Sequence, residues 1–194
     1  MRVHGDKILK RRDGVKNLKH YQDAREILQE DFSDMCGYCG KNCKIMYEKF
    51  HIDHFVPRSL DSDRENDYYN LVYACPKCNL SKAKKWPTED KAKPHDGKKG
   101  FIDPVSEEFD KNVIRNDEGY IVGNTVLGKY ICKELRFDIR RTDIFWKLDK
   151  LIKQQERLEK LAEKGILQED EKDFYIKNNQ IFKYYMNEVK AKGE

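Results

Sequence analysis

A chain of 194 residues supports one domain, or one compact core with an appendage. Hydrophobic and charged residues each make up 38% of it, so the core is modest and a precise site within it needs a staple. No apolar run approaches membrane-spanning length and no hydrophobic leader opens the chain, so the expectation is a soluble cytoplasmic protein with no membrane partner.

The net charge of +4 is unevenly spread. Residues 1–20 carry seven Lys or Arg against two Asp, and residues 77–100 carry eight Lys against three acids, about +5 each. Basic charge therefore gathers beside a cysteine-rich motif, which suits a polyanion such as nucleic acid.

In chain order, residues 15–30 have the spacing of an amphipathic helix (Val15, Leu18, Tyr21, Ile27, Leu28). Cys36-Gly37-Tyr38-Cys39-Gly40 then makes a tight knuckle. Residues 44–56 read as a strand or hairpin bearing Asp53-His54. A polar loop covers 57–67, and a short apolar run over 69–74 leads to the second knuckle, Cys75-Pro76-Lys77-Cys78. A helix opens at Asn79 and runs to Lys85, stopped by Trp86-Pro87, with Trp86 as a core anchor. After a Lys/Pro/Gly-rich connector, Asn116-Asp117-Glu118-Gly119 is a turn between short strands, and Asn124-Thr125 caps a helix running through Leu135. Helical spacing over 142–164, closed by Gly165, and again over 170–190 predicts a terminal αα-hairpin.

Cys36, Cys39, Cys75 and Cys78 are four soft thiolates in two Cys-x-x-Cys pairs, and in a reducing compartment they read as a closed tetrahedral site for structural Zn²⁺. Cys43 and Cys132 are left over as small buried or surface residues. Asp53-His54 is the chemical centre. Phosphodiester hydrolysis needs a base for water and a cation against the phosphate. His54 has the ordinary basicity for the first, while the Asp53 carboxylate and the Asn79 amide oxygen suit the second. Two oxygen ligands with further positions left for water and phosphate favour Mg²⁺ or Mn²⁺. His51 shares a strand face with Asp53, and its role stays open between a further ligand, a phosphate contact and a packed residue. Strict alternation would send His54 to the opposite face from Asp53, so the strand must end or bend there. Arg58, Lys82, Lys84 and Lys85 are the phosphate-contact candidates, although a solvated lysine cluster is the plainer reading for Lys84 or Lys85 alone.

The ordered set Asp53-His54, Asn70 and Asn79 between two cysteine pairs resembles the HNH (ββα-metal) endonuclease family over about Cys36 to Pro87. The resemblance implies that Asp53 and Asn79 hold one catalytic metal and that His54 is the general base. It also implies that Asn70 orients the loop and the base. Residues 101–104 and the Gly119 turn are similar, more loosely, to an extension in some bacterial HNH proteins. Restriction and anti-phage systems, in which an ATPase or sensor directs the nuclease, are the setting the resemblance implies. The C-terminal helices read first as packing for the nuclease core, and their Tyr and Phe content leaves a surface for such a partner open.

The expectation is thus an α+β protein: a basic helical segment over 1–34, a zinc-stapled nuclease core over 35–100 and a C-terminal extension over 101–194. The substrate expected is DNA. Two other readings stand beside it, an RNA-cleaving toxin with the same site and a non-catalytic zinc module that binds nucleic acid or a partner protein.

Overall fold

Two Cys-x-x-Cys knuckles flank a short antiparallel pair of strands, and a helix grows directly out of the second knuckle. This is the centre of the computed structural model, which describes residues 1–16, 18–45 and 48–192. The chain divides into two compact units, Met1–Thr142 and Asp143–Glu194. The architecture is α+β, with two separate two-stranded antiparallel sheets among the described residues.

In the first unit, β1 (His51–His54) pairs with β2 (Leu71–Ala74) in the register Asp53 opposite Val72 and His54 opposite Leu71. The β-branched and aromatic residues Ile52, Val72 and Tyr73 suit a pleated, buried surface. Leu71, Val72 and Ala74 are fully buried beside Phe32, Leu28 and Phe50. Each such large apolar side chain contributes about 1.5–3 kcal/mol on burial. The strand expected over 44–56 is thus confined to its last third. Residues 46–47 lie outside the described residues.

Helix α2 spans Pro76–Lys82 rather than 79–85. Pro76 occupies the first helical turn, where its missing N–H costs nothing, so the second knuckle itself nucleates the helix. The helix stops at Ala83, which has φ +45°. Asn79 therefore sits mid-helix, not at its start.

The amphipathic helix expected over 15–30 is shorter too. His20 is extended and forms a reciprocal cap with Asp23, so helical structure begins with a 3₁₀ turn at Tyr21–Ala24 and continues as α1 (Arg25–Asp31). Val15 and Leu18 pack on the core from an irregular segment, and residue 17 lies outside the described residues.

Beyond the connector, α3 (Glu107–Asn112) leads into the hairpin β3 (Val113–Arg115) and β4 (Ile121–Gly123), turned at Asn116–Gly119 as the sequence predicts. Thr125 caps α4 (Val126–Glu134) by accepting from the Gly128 N–H at 3.0 Å. A Cβ at Gly128 would lie 1.9 Å from the Asn112 carbonyl oxygen, so only glycine lets α4 approach the hairpin this closely. The side chain of Arg115 is buried and donates to the carbonyls of Val3, Gly119, Thr142 and Cys39, tying the hairpin to the first knuckle.

The second unit contains the expected αα-hairpin. Helix α5 (Thr142–Glu163), whose first residue closes the first unit, is followed by Gly165 in the left-handed region and by α6 (Glu169–Lys192). Bonds from Asn178 to the Leu151 carbonyl, from Gln155 to Asn179 and from Tyr175 to Glu159 run antiparallel along the pair. Among the described residues no helix is long and apolar enough to cross a membrane.

Candidate metal-dependent active site

The four knuckle cysteines are buried, and their sulfurs lie within 4.8 Å of one another. Cys39 Sγ and Cys75 Sγ are 3.8 Å apart. A tetrahedron with Zn–S bonds of about 2.3 Å has edges of about 3.8 Å, so the spacing fits a bound zinc ion. The electrostatics agree. Burial pushes the Cys36 and Cys78 thiols well up, while the neighbouring thiols pull Cys39 well down. Four sulfurs this close ionise together only around a cation. Backbone bonds hold the cage: Gly37 N–H donates to the Tyr73 carbonyl at 2.8 Å and Asn79 N–H to the Cys75 carbonyl at 3.0 Å. The cysteine site thereby fastens the first knuckle to β2 and α2.

An open cleft of about 650 Å³ lies beside this cage, and Asp53, His54, Arg58, Glu65, Asn79 and Lys84 are among its lining residues. His54 is the last residue of β1, and the chain bends immediately after it. That bend brings it to the same cleft as Asp53, despite the opposite faces that alternation would assign them. Asn70 holds the bend. It is fully buried; its side chain accepts from Val56 N–H at 2.9 Å and donates to the carbonyls of Val56 and Arg64.

The His54 ring is fixed in one tautomer. Its Nε2 lies 2.8 Å from the Glu65 carbonyl oxygen, which can only accept, so the neutral ring carries its proton on Nε2 and leaves Nδ1 unprotonated. Burial lowers the His54 pKa from its ordinary value, with the Glu65 carbonyl opposing. Tyr21 stands edge-on to this ring with centroids 4.8 Å apart.

Asp53 is buried, and one of its oxygens, Oδ2, takes two donors: the Tyr38 hydroxyl at 2.6 Å and the Lys82 ammonium at 3.1 Å. Burial raises the Asp53 pKa, while Lys82 and Tyr38 pull it back. Lys82, expected at a phosphate, is 0% exposed and also donates to the His54 carbonyl at 2.8 Å. It braces the site from beneath and does not face the cleft.

His51 is exposed, and its Nδ1 lies 3.1 Å from Asn79 Nδ2. Arg58 pairs with Glu65 at 2.7 Å and lies over the Tyr21 ring, its guanidinium carbon 5.6 Å from the centroid. Lys85 pairs with Glu134 at 2.8 Å, away from the lining of the cleft. Trp86 is buried against Phe55, their rings 5.3 Å apart, as a core anchor.

Sequence reasoning missed Tyr38 and Glu65. Tyr38 was visible inside the first knuckle but reads there as a turn residue. Glu65 acts on His54 through its backbone carbonyl, which no side-chain pattern reports.

No curated protein and no solved structure matches the chain. Residues 36–85 do match the family model described as HNH endonuclease. That span begins at the first knuckle cysteine and takes in β1, the bend, β2 and all of α2. The chain thus contains an HNH endonuclease domain over residues 36–85, with four cysteines positioned to bind a metal ion.

Proposed function

We propose that this protein hydrolyses phosphodiester bonds of nucleic acid, with His54 as general base and one divalent cation, Mg²⁺ or Mn²⁺, in the cleft. The observation that carries the proposal is the placement of His54: a ring fastened through Nε2 to the Glu65 carbonyl, lining one cleft with Asp53 and Asn79.

The donor set fits a hard cation. Asp53 offers Oδ1, which neither Tyr38 nor Lys82 engages, and Asn79 offers its amide oxygen, its Nδ2 being turned to His51 Nδ1. When bound, the cation supplies Lewis acidity against the charge on the phosphate and on the leaving 3′ oxygen. His54 Nδ1 takes the proton of the attacking water as the P–O3′ bond breaks, and the Glu65 carbonyl keeps the imidazolium oriented. Lys82 and Tyr38 hold the Asp53 carboxylate ionised and in place. Arg58 and Lys84 line the cleft and contact the flanking phosphates. The zinc cage is the frame on which β2 and α2 are hung, and takes no part in the proton transfer.

We put DNA first as the substrate. The clustered basic charge supports a polyanion, and restriction or anti-phage defence is the setting that the family resemblance carries. The testing experiment is incubation of the purified protein with supercoiled plasmid and, separately, with structured RNA, under Mg²⁺, Mn²⁺ or EDTA. Metal-dependent nicking or linearisation of plasmid supports the proposal. Cleavage of RNA alone would reassign the substrate, and retention of both nucleic acids without cleavage in any metal would favour a binding module.

A further inference from the structure

The cysteine cage has a neighbour that lies far outside the HNH match. Arg140 donates from Nη1 to Cys78 Sγ at 3.3 Å, and its Nη2 lies 4.0 Å from Cys75 Sγ. The chain is turned back to reach this position. Helix α4 ends with Arg136 at φ +59°, and the N–H groups of Arg136 and Phe137 close onto the carbonyls of Lys133 and Cys132 at 3.0 and 2.8 Å. The side chain then packs over the Phe137 ring, with Cζ 5.6 Å from its centroid, and Nη1 also reaches the Leu135 carbonyl at 3.4 Å. Its Nε is buried with no hydrogen-bond partner among the described residues, so the contact with the sulfurs is made at a desolvation cost.

Four thiolates around Zn²⁺ carry a net charge of −2, here in a fully buried cage. Such a charge needs compensation. A guanidinium is suited to the task because it is weakly hydrated, always charged and able to address two acceptors with one planar fork. N–H donors on a coordinated sulfur draw charge from it, which makes the sulfur harder to protonate and slower to leave the metal.

We propose that Arg140 is the counter-ion of the zinc site, holding the metal by compensating the Cys75 and Cys78 thiolates from a turn that the HNH domain itself does not contain. The consequence is a dependence of the second knuckle on residues 135–140. The inference is independent of the nuclease reading and would stand for a binding module with the same cage.

The test is zinc affinity of the full chain, measured by competition with a chromophoric chelator, for wild type, Arg140→Gln and Arg136→Gln. Arg136 is exposed on the same turn, so its replacement changes the net charge equally without touching the cage. A fall in affinity of about 10–100-fold for Arg140→Gln, with Arg136→Gln at the wild-type value, is the expected result. Wild-type affinity in Arg140→Gln, or equal losses in both variants, overturns the proposal. If Arg140→Gln does not fold, Arg140→Lys decides. Recovery of folding with zinc affinity between wild type and a tenfold loss supports compensation by charge, whereas failure of the lysine variant to fold or to bind zinc means that Arg140 serves packing instead.

Discussion

Replacing Lys82 with methionine removes one buried cation while keeping nearly the same volume. Lys82 Nζ lies 3.1 Å from Asp53 Oδ2, with Lys82 wholly buried and Asp53 5% exposed. At that distance and an effective dielectric constant of about 20, the attraction lost is about 5 kcal/mol. Burial already raises the Asp53 pKa, so the orphaned carboxylate takes up a proton and recovers part of this. The net loss is expected at about 3 kcal/mol, the lower end for breaking a buried pair. In a unit of this size that lowers Tm by roughly 6–12 °C. The protonated Asp53 also sets the sign of the pH dependence. A carboxyl held above its unfolded pKa stabilises the fold at low pH and loses that contribution as pH rises, so the deficit against wild type grows as pH rises from the ordinary carboxylate value through the raised pKa. Urea unfolding of the zinc-loaded protein, followed by circular dichroism, measures both. The double variant Lys82→Met/Asp53→Asn removes both charges and is expected to be more stable than Lys82→Met alone. A loss below about 1 kcal/mol, the value for an exposed ion pair, would refute the buried brace.

Activity should follow His54 in its neutral form. Because burial lowers its pKa below the ordinary 6.5, the acid limb of the cleavage rate is expected to have its midpoint below 6.5, with an acid limb near 7 or above as the contrary result. Asn70→Ala leaves the Val56 N–H and the Val56 and Arg64 carbonyls without their side-chain partner, so a loss of about 2–4 kcal/mol is expected together with much reduced cleavage. Unfolding free energy and rate measured on the same preparation check this, and near-wild-type stability would mean that the bend holds itself.

The parts of this fold that were legible in the sequence are those with short-range causes. Two Cys-x-x-Cys pairs announce a closed metal cage wherever the chain between them goes. Asn116–Gly119, Thr125 and Gly165 are local turn and cap chemistry, and the hairpin, α4 and the end of α5 fall where they indicate. The boundaries of α2 were misjudged because Pro76 was read as part of a ligand loop, although proline at a first helical turn is a start signal. The N-terminal helix was overextended because Val15 and Leu18 have helical spacing yet reach the core from irregular backbone.

Less of the candidate site could be read. The residue types of Asp53, His54 and Asn79 were visible, and so was the need for a bend after His54. Which lysine faces the cleft was not, because Lys82 is the last residue of α2 whereas Lys84 follows the left-handed Ala83 at which the helix stops. Long-range groups were invisible as well. Glu65 contributes a main-chain oxygen, and Arg115 and Arg140 reach the knuckles from 76 and 62 positions away in sequence. Nothing in a local pattern marks such pairs.

The measurement closest to the central claim is the cleavage rate of His54→Ala beside wild type, with zinc content and unfolding free energy determined on the same samples. The account predicts a rate lower by about 10²–10⁴-fold with zinc retained and the fold intact. Cleavage at the wild-type rate by a zinc-loaded, folded His54→Ala protein would contradict it.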